Sequence, residues 1–255
     1  MTVDLDSGPD PADIAAADPE AATDATPVYA VGVGPGNPEY LTPRARRAIR
    51  EADAVVGFET VVDVARGAVS TDADWLTCGY ADEAETLDTF ADRVATGDTG
   101  TAVLMGDPNH SGYQFVGKVQ AAVDAPVQVI PGISSLQVAA SRARTPMEAT
   151  TFVTLHKSGS LDADLDRLRA DVGDRHLLVL PRPYDWMPGD IAADLLDAGA
   201  TPRTTALVLE RLTHDDEAIT RTTLGDLATH AGGADPSDTP FSDLSVFAVR
   251  RDGSE

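Results

Sequence analysis

The sequence predicts an α/β protein made of two α/β domains. Short apolar runs alternate with stretches of helical period, three of those runs end in glycine-rich turns, and the rhythm breaks at Thr145-Pro146 before starting again. A chain of 255 residues, 42% hydrophobic, has the material for one large or two medium cores. The expected division is 1–26, 27–146 and 147–255. The first of these segments carries seven acids, no lysine or arginine, and many Ala, Pro and Asp, which is the composition of a disordered acidic tail.

Folded structure is expected from Pro27, with a strand at 28–33 that enters the turn VGVGPGNP, residues 31–38. Gly32, Gly34 and Gly36 tolerate conformations closed to other residues, while Pro35 and Pro38 fix φ and remove two donors. The result is a rigid exposed wall. Thr42 followed by Pro43 reads as an N-cap with proline in the first turn and opens a helix through Ala52 that carries Arg44, Arg46, Arg47 and Arg50. A short strand at 54–57, a helix at 58–66 and an amphipathic helix at 83–95, striped by Leu87, Phe90 and Val94, come next. Strand 101–105 enters the turn MGDPNHSGY (105–113). Helix 114–122 leads to strand 127–130, which ends in PGISS (131–135), and Ser134 is placed to cap a helix over 135–143.

The second series opens with strand 151–155 and the HKSGS turn. Leu161, Leu165 and Leu168 form a helix stripe, and strand 176–180 precedes a Pro/Arg/Trp loop. Helix 190–198 stops at Gly199. Strand 205–210, a hairpin strand at 216–222, helix 224–230, a GGADPSD linker and strand 244–249 complete the chain.

Charge narrows the function. There are 42 acidic residues against 19 basic, a net charge of -23, and the only lysines are Lys118 and Lys157. This balance argues against a nucleic-acid partner. It suits a surface that must stay hydrated at very high salt, so the expected source is halophilic. No apolar run approaches the roughly 20 residues of a membrane span, and the N-terminus shows no basic-plus-apolar signal, so the expected location is cytoplasmic. A single cysteine, Cys78, excludes an internal disulfide and a thiolate-rich metal site; it is read as a small, partly buried side chain.

Catalytic motifs are sparse. Asn37 stands where a dinucleotide fingerprint needs glycine, and no Gly-Lys-Ser/Thr follows. There is no nucleophile elbow, HExxH or CxxC, and the five histidines show no ligand spacing, so no metal is expected. What remains is three loops at strand ends: GVGPGNP, GDP at 106–108, and PGISS. Their backbone groups and hydroxyls can hold a polar cofactor without an ionised catalytic residue. Taken singly, the first loop reads equally well as a strand-to-helix turn with no ligand. Asp107 likewise reads either as a ligand for a cofactor ammonium or hydroxyl, or as a turn residue bonding its own backbone.

GxGPGxP on the first strand, GDP after the fourth and P-G-I-S-S opening the next helix together resemble the tetrapyrrole methylase family. The likeness covers roughly 27–250. It implies S-adenosyl-L-methionine as methyl donor, S-adenosyl-L-homocysteine as product, and a tetrapyrrole acceptor, with the cofactor folded between the two domains. Three stretches are most similar to the subgroup that methylates carbon 5 of cobalt-precorrin-7: 41–59, 133–156 and 210–219. Where that subgroup reads Leu-His-Gly-Arg, this chain has Leu155, His156, Lys157 and Ser158. Another ring position, or a cofactor-binding scaffold without methyl transfer, stays open.

By position, the resemblance implies cofactor contacts at Pro35, Met105, Gly106, Asp107, His110, Ser134, Ser135, Leu180 and Leu212. Substrate contacts fall to Gly34, Arg44, Arg142, His156, Lys157 and Arg182, with Arg46 a further cation, because the macrocycle carries many carboxylates. Tyr113, Tyr184 and Trp186 are candidates for stacking on the macrocycle. No single catalytic residue is expected, since in-line methyl transfer depends on alignment and desolvation. The family further implies a homodimer and allows a C15-methylase/decarboxylase as partner.

Overall fold

The computed structural model describes residues 13–15, 25–157, 159–232, 235, 237–251 and 253. Most of the expected acidic tail lies outside them; the described residues 13–15 are helical, and Ala15 packs against the first core. The chain forms two compact units, Met1–Ser134 and Ser135–Glu255. The division comes before the expected break at Thr145-Pro146 because the helix at 135–143 packs within the second unit.

The first unit holds a five-stranded parallel sheet: β1 (Val28–Gly32), β2 (Ala54–Phe58), β3 (Asp74–Cys78), β4 (Gly100–Leu104) and β5 (Val127–Ile130), in the order β3-β2-β4-β1-β5. The helices are α1 (Pro43–Glu51), α2 (Glu59–Ala68), α3 (Glu83–Ala95) and α4 (Tyr113–Ala122). Side chains alternate across the strands, so both faces are apolar. Val31, Val55 and Val103 pack with α1 and α2, whereas Ala30, Val56, Ala102 and Leu104 pack with α3 and α4. Thr42 caps α1 as read from the sequence: its hydroxyl accepts from Ala45 N at 3.2 Å, with Pro43 at the first turn. β3 is absent from the strands read in the sequence. It is an edge strand bonded to β2 alone, with Asp74 and Thr77 exposed and Trp75 and Leu76 half-buried, and its apolar signal is correspondingly weak.

In the second unit the strands β6 (Thr150–Thr154), β7 (His176–Leu180), β8 (Thr205–Glu210), β9 (Ala218–Thr223) and β10 (Ser245–Val249) take the order β6-β7-β10-β8-β9. β6 and β7 are parallel, and the remaining pairs are antiparallel. The helices are α5 (Ser135–Ala143), α6 (Asp162–Asp171), α7 (Pro188–Asp197) and the single turn α8 (Leu224–Leu227). The last ends in a 3-10 turn over Ala228–His230, where one continuous helix was expected. Leu165, Leu168, Ile191, Leu195 and Leu224 bury against Leu177, Val179, Val208 and Phe247. α5 lies against β7 and β10, and Arg250 Nη1 donates to Ala143 O at 3.0 Å. Arg144 then leaves the helix at φ 56°.

Candidate functional site

Strand order places the three loops side by side. β1 hands the chain to β2 on one side, and β4 hands it to β5 on the other, so β1 lies between β4 and β5. The loops after β1, β4 and β5 therefore leave the carboxyl edge together at the point where the winding reverses, the usual position of ligands in open α/β sheets.

They are tied to one another through backbone. Gly34 N donates to Gly106 O at 3.2 Å, Gly106 N donates to Gly34 O at 2.8 Å, and Val33 N reaches Leu104 O at 2.8 Å. Gly34 (φ 89°) and Gly106 (φ 64°) take left-handed conformations that make this bridge possible. Closeness fixes two further glycines. A Cβ on Gly132 would stand 2.1 Å from Gly106 O, and one on Gly32 would stand 2.5 Å from the same oxygen.

Asp107 completes the assembly. It is buried, at 5% exposure; Oδ1 accepts from Asn109 N and Nδ2, both at 2.8 Å, and Oδ2 accepts from Gly132 N at 3.0 Å. Both oxygens are thus engaged by protein donors. The turn-residue reading describes this side chain, with one addition: the carboxylate reaches across 25 residues to the PGISS loop. His110 follows in the π-helical turn Pro108–Gly112, its Nδ1 3.5 Å from Asp107 Oδ1. Met105 is exposed at the surface, Pro35 and Ser134 are buried, and Ser135 opens α5. Of the unit's expected cations, Arg44 is exposed in the first turn of α1, and Arg46 donates to Ala68 O and Pro38 O.

In the second unit, β6, β7 and β8 end at one edge, because β10 runs antiparallel to both β7 and β8. Leu180 closes β7, and its carbonyl accepts from Leu155 N at 2.8 Å. His156 is exposed beside it. The other expected substrate cations already have protein partners. Lys157 pairs with Asp164 at 2.6 Å. Arg182 donates to Leu155 O (3.3 Å), Gly159 O (3.0 Å) and Asp185 (2.9 Å), holding the HKSGS turn to the loop after β7. Arg142, in the last turn of α5, pairs with Glu217 at 3.0 Å. Leu212 is buried, at 4% exposure, in the turn between β8 and β9. Tyr184 takes φ 59° in the loop after β7, and Trp186 packs against the apolar core, which favours a structural part for the tryptophan. Tyr113 is the first residue of α4.

Sequence reading missed Glu217 and the close-contact role of Gly132, whereas close approach at Gly32 follows from its place in the glycine turn. The stretch 210–219 and PGISS carry the family likeness, but nothing local marks which acid meets a distant arginine or which glycine meets a distant backbone. Among the described residues no group of three or more His, Cys, Asp or Glu side chains is arranged to hold a metal ion, and no helix is long and apolar enough to cross a membrane.

Comparison with known proteins agrees with this architecture. The chain is 28% identical over 210 residues to a probable cobalt-precorrin-7 C(5)-methyltransferase of Methanocaldococcus jannaschii, covering 79% of this chain and 91% of that one. It is 29% identical over 224 residues to an S-adenosyl-L-methionine-dependent uroporphyrinogen III methyltransferase of Methanosarcina barkeri, covering 80% and 85%. Its fold is similar to that of a uroporphyrin-III C-methyl transferase from Thermus thermophilus complexed with S-adenyl homocysteine, at a TM-score of 0.64 and 23% identity over 88% of this chain and 92% of that one. Residues 27–228 match the family described as Tetrapyrrole (Corrin/Porphyrin) Methylases, and the chain belongs to that family.

Proposed function

We propose that this chain transfers a methyl group from S-adenosyl-L-methionine to carbon 5 of cobalt-precorrin-7, a step of cobalamin biosynthesis. The observation that carries the reading is the locked trio of loops at the carboxyl edge of the first sheet, built from Gly34, Gly106, Asp107 and Gly132. The Methanocaldococcus relative, matched over nearly its whole length, supports the choice of acceptor.

The residues suit such a cofactor. A Cβ on Gly106 would meet Ser134 Cα at 3.7 Å, ordinary van der Waals contact, so its left-handed backbone, not crowding, is what favours glycine there. Buried Ser134, with a hydroxyl that donates and accepts, and exposed Met105, with an apolar and weakly accepting side chain, flank it; both are uncharged, which suits a zwitterionic amino-acid moiety and a nucleoside. When bound, the cofactor supplies an electrophilic sulfonium methyl. The chain's own work is to bind, orient and exclude water: the rigid loops fix the line of approach, and alignment supplies most of the acceleration. Pro35 and Gly34 shape the wall, Leu180 and Leu212 offer apolar contact, and Arg44 and His156 are exposed cation and imidazole for substrate carboxylates.

Incubation with cobalt-precorrin-7 and methyl-labelled cofactor, followed by mass and position analysis of the product, tests the proposal; label at another carbon, or none, rejects it. A second reading, uroporphyrinogen III as acceptor, rests on the Methanosarcina relative, and the same assay with that substrate separates the two. The proposal includes cytoplasmic action as a homodimer, with a C15-methylase/decarboxylase as possible partner. It also includes a halophilic setting, because a net charge of -23 repels itself until salt screens it. Equal urea midpoints at about 0.1 M and 2 M KCl would remove the halophilic element.

A further inference from the structure

Leu212 lies in the turn that joins β8 to β9, and its two neighbours hold left-handed backbone: Arg211 at φ 48° and Thr213 at φ 73°. For a β-branched residue such as Thr213 this is a costly conformation, and strain of this kind persists only where surrounding contacts over-determine it. Those contacts are present. Arg211 Nε pairs with Asp216 at 2.5 Å, Arg211 N donates to Leu244 O at 2.9 Å, His214 N donates to Arg211 O and Glu217 N to His214 O, both at 3.0 Å.

Glu217 sits at the centre. Its Oε2 accepts from the amide of strained Thr213 at 2.8 Å, and its Oε1 accepts from Arg142 Nε at 3.0 Å. Arg142 belongs to the last turn of α5, the helix that begins at Ser135. One carboxylate therefore joins the turn that buries Leu212 to the helix whose first residue is a candidate cofactor contact. The Arg142 guanidinium, with the Thr213 amide, holds the Glu217 carboxyl below the usual carboxylate range, so the latch is charged at neutral pH. A half-exposed ion pair by itself adds little to stability. Strain in a turn that buries one leucine, together with a charged anchor, is the arrangement of a preorganised binding segment.

We propose that Glu217 is a positioning residue that anchors the Leu212–Thr213 turn to Arg142 and so presets the second unit's contact with the methyl-donor cofactor. This rests on the proposed function and adds to it a residue that touches neither donor nor acceptor. In this assignment Arg142 serves the latch, and its charge is not directed at the substrate.

The test is calorimetric titration of S-adenosyl-L-homocysteine into the full chain and its variants, with thermal unfolding of each. Glu217→Ala loses the Thr213 and Arg142 contacts together, and its affinity is expected to fall at least roughly tenfold, the free energy of one of these two charge-assisted hydrogen bonds. The double variant Glu217→Ala/Thr213→Gly relieves the strain, since glycine accepts φ 73°, and is expected to regain most of that loss. Arg142→Gln supplies a second, milder break should Glu217→Ala fold poorly. A merely structural ion pair would lower the melting temperature and leave affinity alone, so unchanged affinity in Glu217→Ala or in Arg142→Gln overturns the proposal. Absence of rescue by Thr213→Gly overturns the strain argument on which it stands. A parent chain that takes up no S-adenosyl-L-homocysteine overturns the methyl-transfer reading itself, and this proposal with it.

Discussion

Replacing Asp107 with alanine removes the acceptor that ties the loop after β4 to the loop after β5. The largest loss is at Gly132, which is buried and whose N–H points at Asp107 Oδ2 from 3.0 Å. A buried donor left without a partner costs about 1–3 kcal/mol. Asn109 is exposed, so its two hydrogen bonds to Oδ1 are replaced by water and add about 0.5–1 kcal/mol. The expected loss is therefore about 1.5–4 kcal/mol, a large share of a single domain's stability. At a usual urea slope this moves the unfolding midpoint down by about 1 M or more. Asparagine in place of Asp107 keeps one acceptor but turns an amide donor toward a neighbouring N–H, so roughly half the effect is expected. Urea unfolding followed by tryptophan fluorescence, in molar KCl, measures both, and titration with S-adenosyl-L-homocysteine on the folded variants reports whether the loops have drifted. A stability loss below about 0.5 kcal/mol for the alanine variant would refute the clamp. So would affinity lost at unchanged stability, since the carboxylate would then be meeting the ligand and Gly132 would not depend on it.

Three other outcomes follow from the same structure. Gly132→Ala places a methyl 2.1 Å from Gly106 O and is expected to prevent folding of the first unit, whereas Gly106→Ala has room and pays only for φ 64°, about 1–2 kcal/mol; melting curves that rank them the other way reject the packing argument. His176 is buried and its Nδ1 accepts from Arg251 N at 3.2 Å. Burial first, and then Arg250, Arg251 and Arg175, push its pKa below the ordinary 6.5. The unfolded chain then binds the extra proton as pH falls below about 6.5, so stability is level above that pH and declines beneath it; His176→Gln should flatten the decline, and urea midpoints at pH 5 and 7.5 decide the matter. Burial, with Glu83 and Asp82 adding to it, raises the Cys78 thiol to about 11, so iodoacetamide at pH 8 should label the urea-unfolded chain and spare the folded one; equal labelling would contradict the buried site.

Much of the fold was legible because its signals are local. The Thr42-Pro43 start of α1, the stripe of α3 and the apolar runs of β1, β5, β7 and β8 each need only a few neighbouring residues to declare themselves. β3 was not legible, because an edge strand half open to water lacks the apolar run that marks a buried one. At the site, the three glycine loops could be found as motifs, and the family likeness gave them an order. What the individual side chains do there was less accessible. Asp107, read from the sequence as either a ligand or a turn residue, proves to be bonded both to its own turn and to a second loop. Arg142, Lys157 and Arg182, read as cations for a polyanionic substrate, have acids or carbonyls of their own unit beside them.

By itself, then, the amino-acid sequence determined the alternation of strands and helices, the positions of the rigid turns and the acidic, lysine-poor surface, since propensity, capping and hydration act within a few residues or on composition as a whole. Tertiary structure alone decided that Gly34, Gly106 and Gly132 would meet, that Asp107 would serve Gly132, and that Glu217 would join Thr213 to Arg142. The glycine contacts depend on strand order and, at Gly132, on an approach closer than a methyl group allows, while the Asp107–Gly132 and Glu217–Arg142 bonds span 25 and 75 residues; all of these arise only when distant segments of chain are packed against one another.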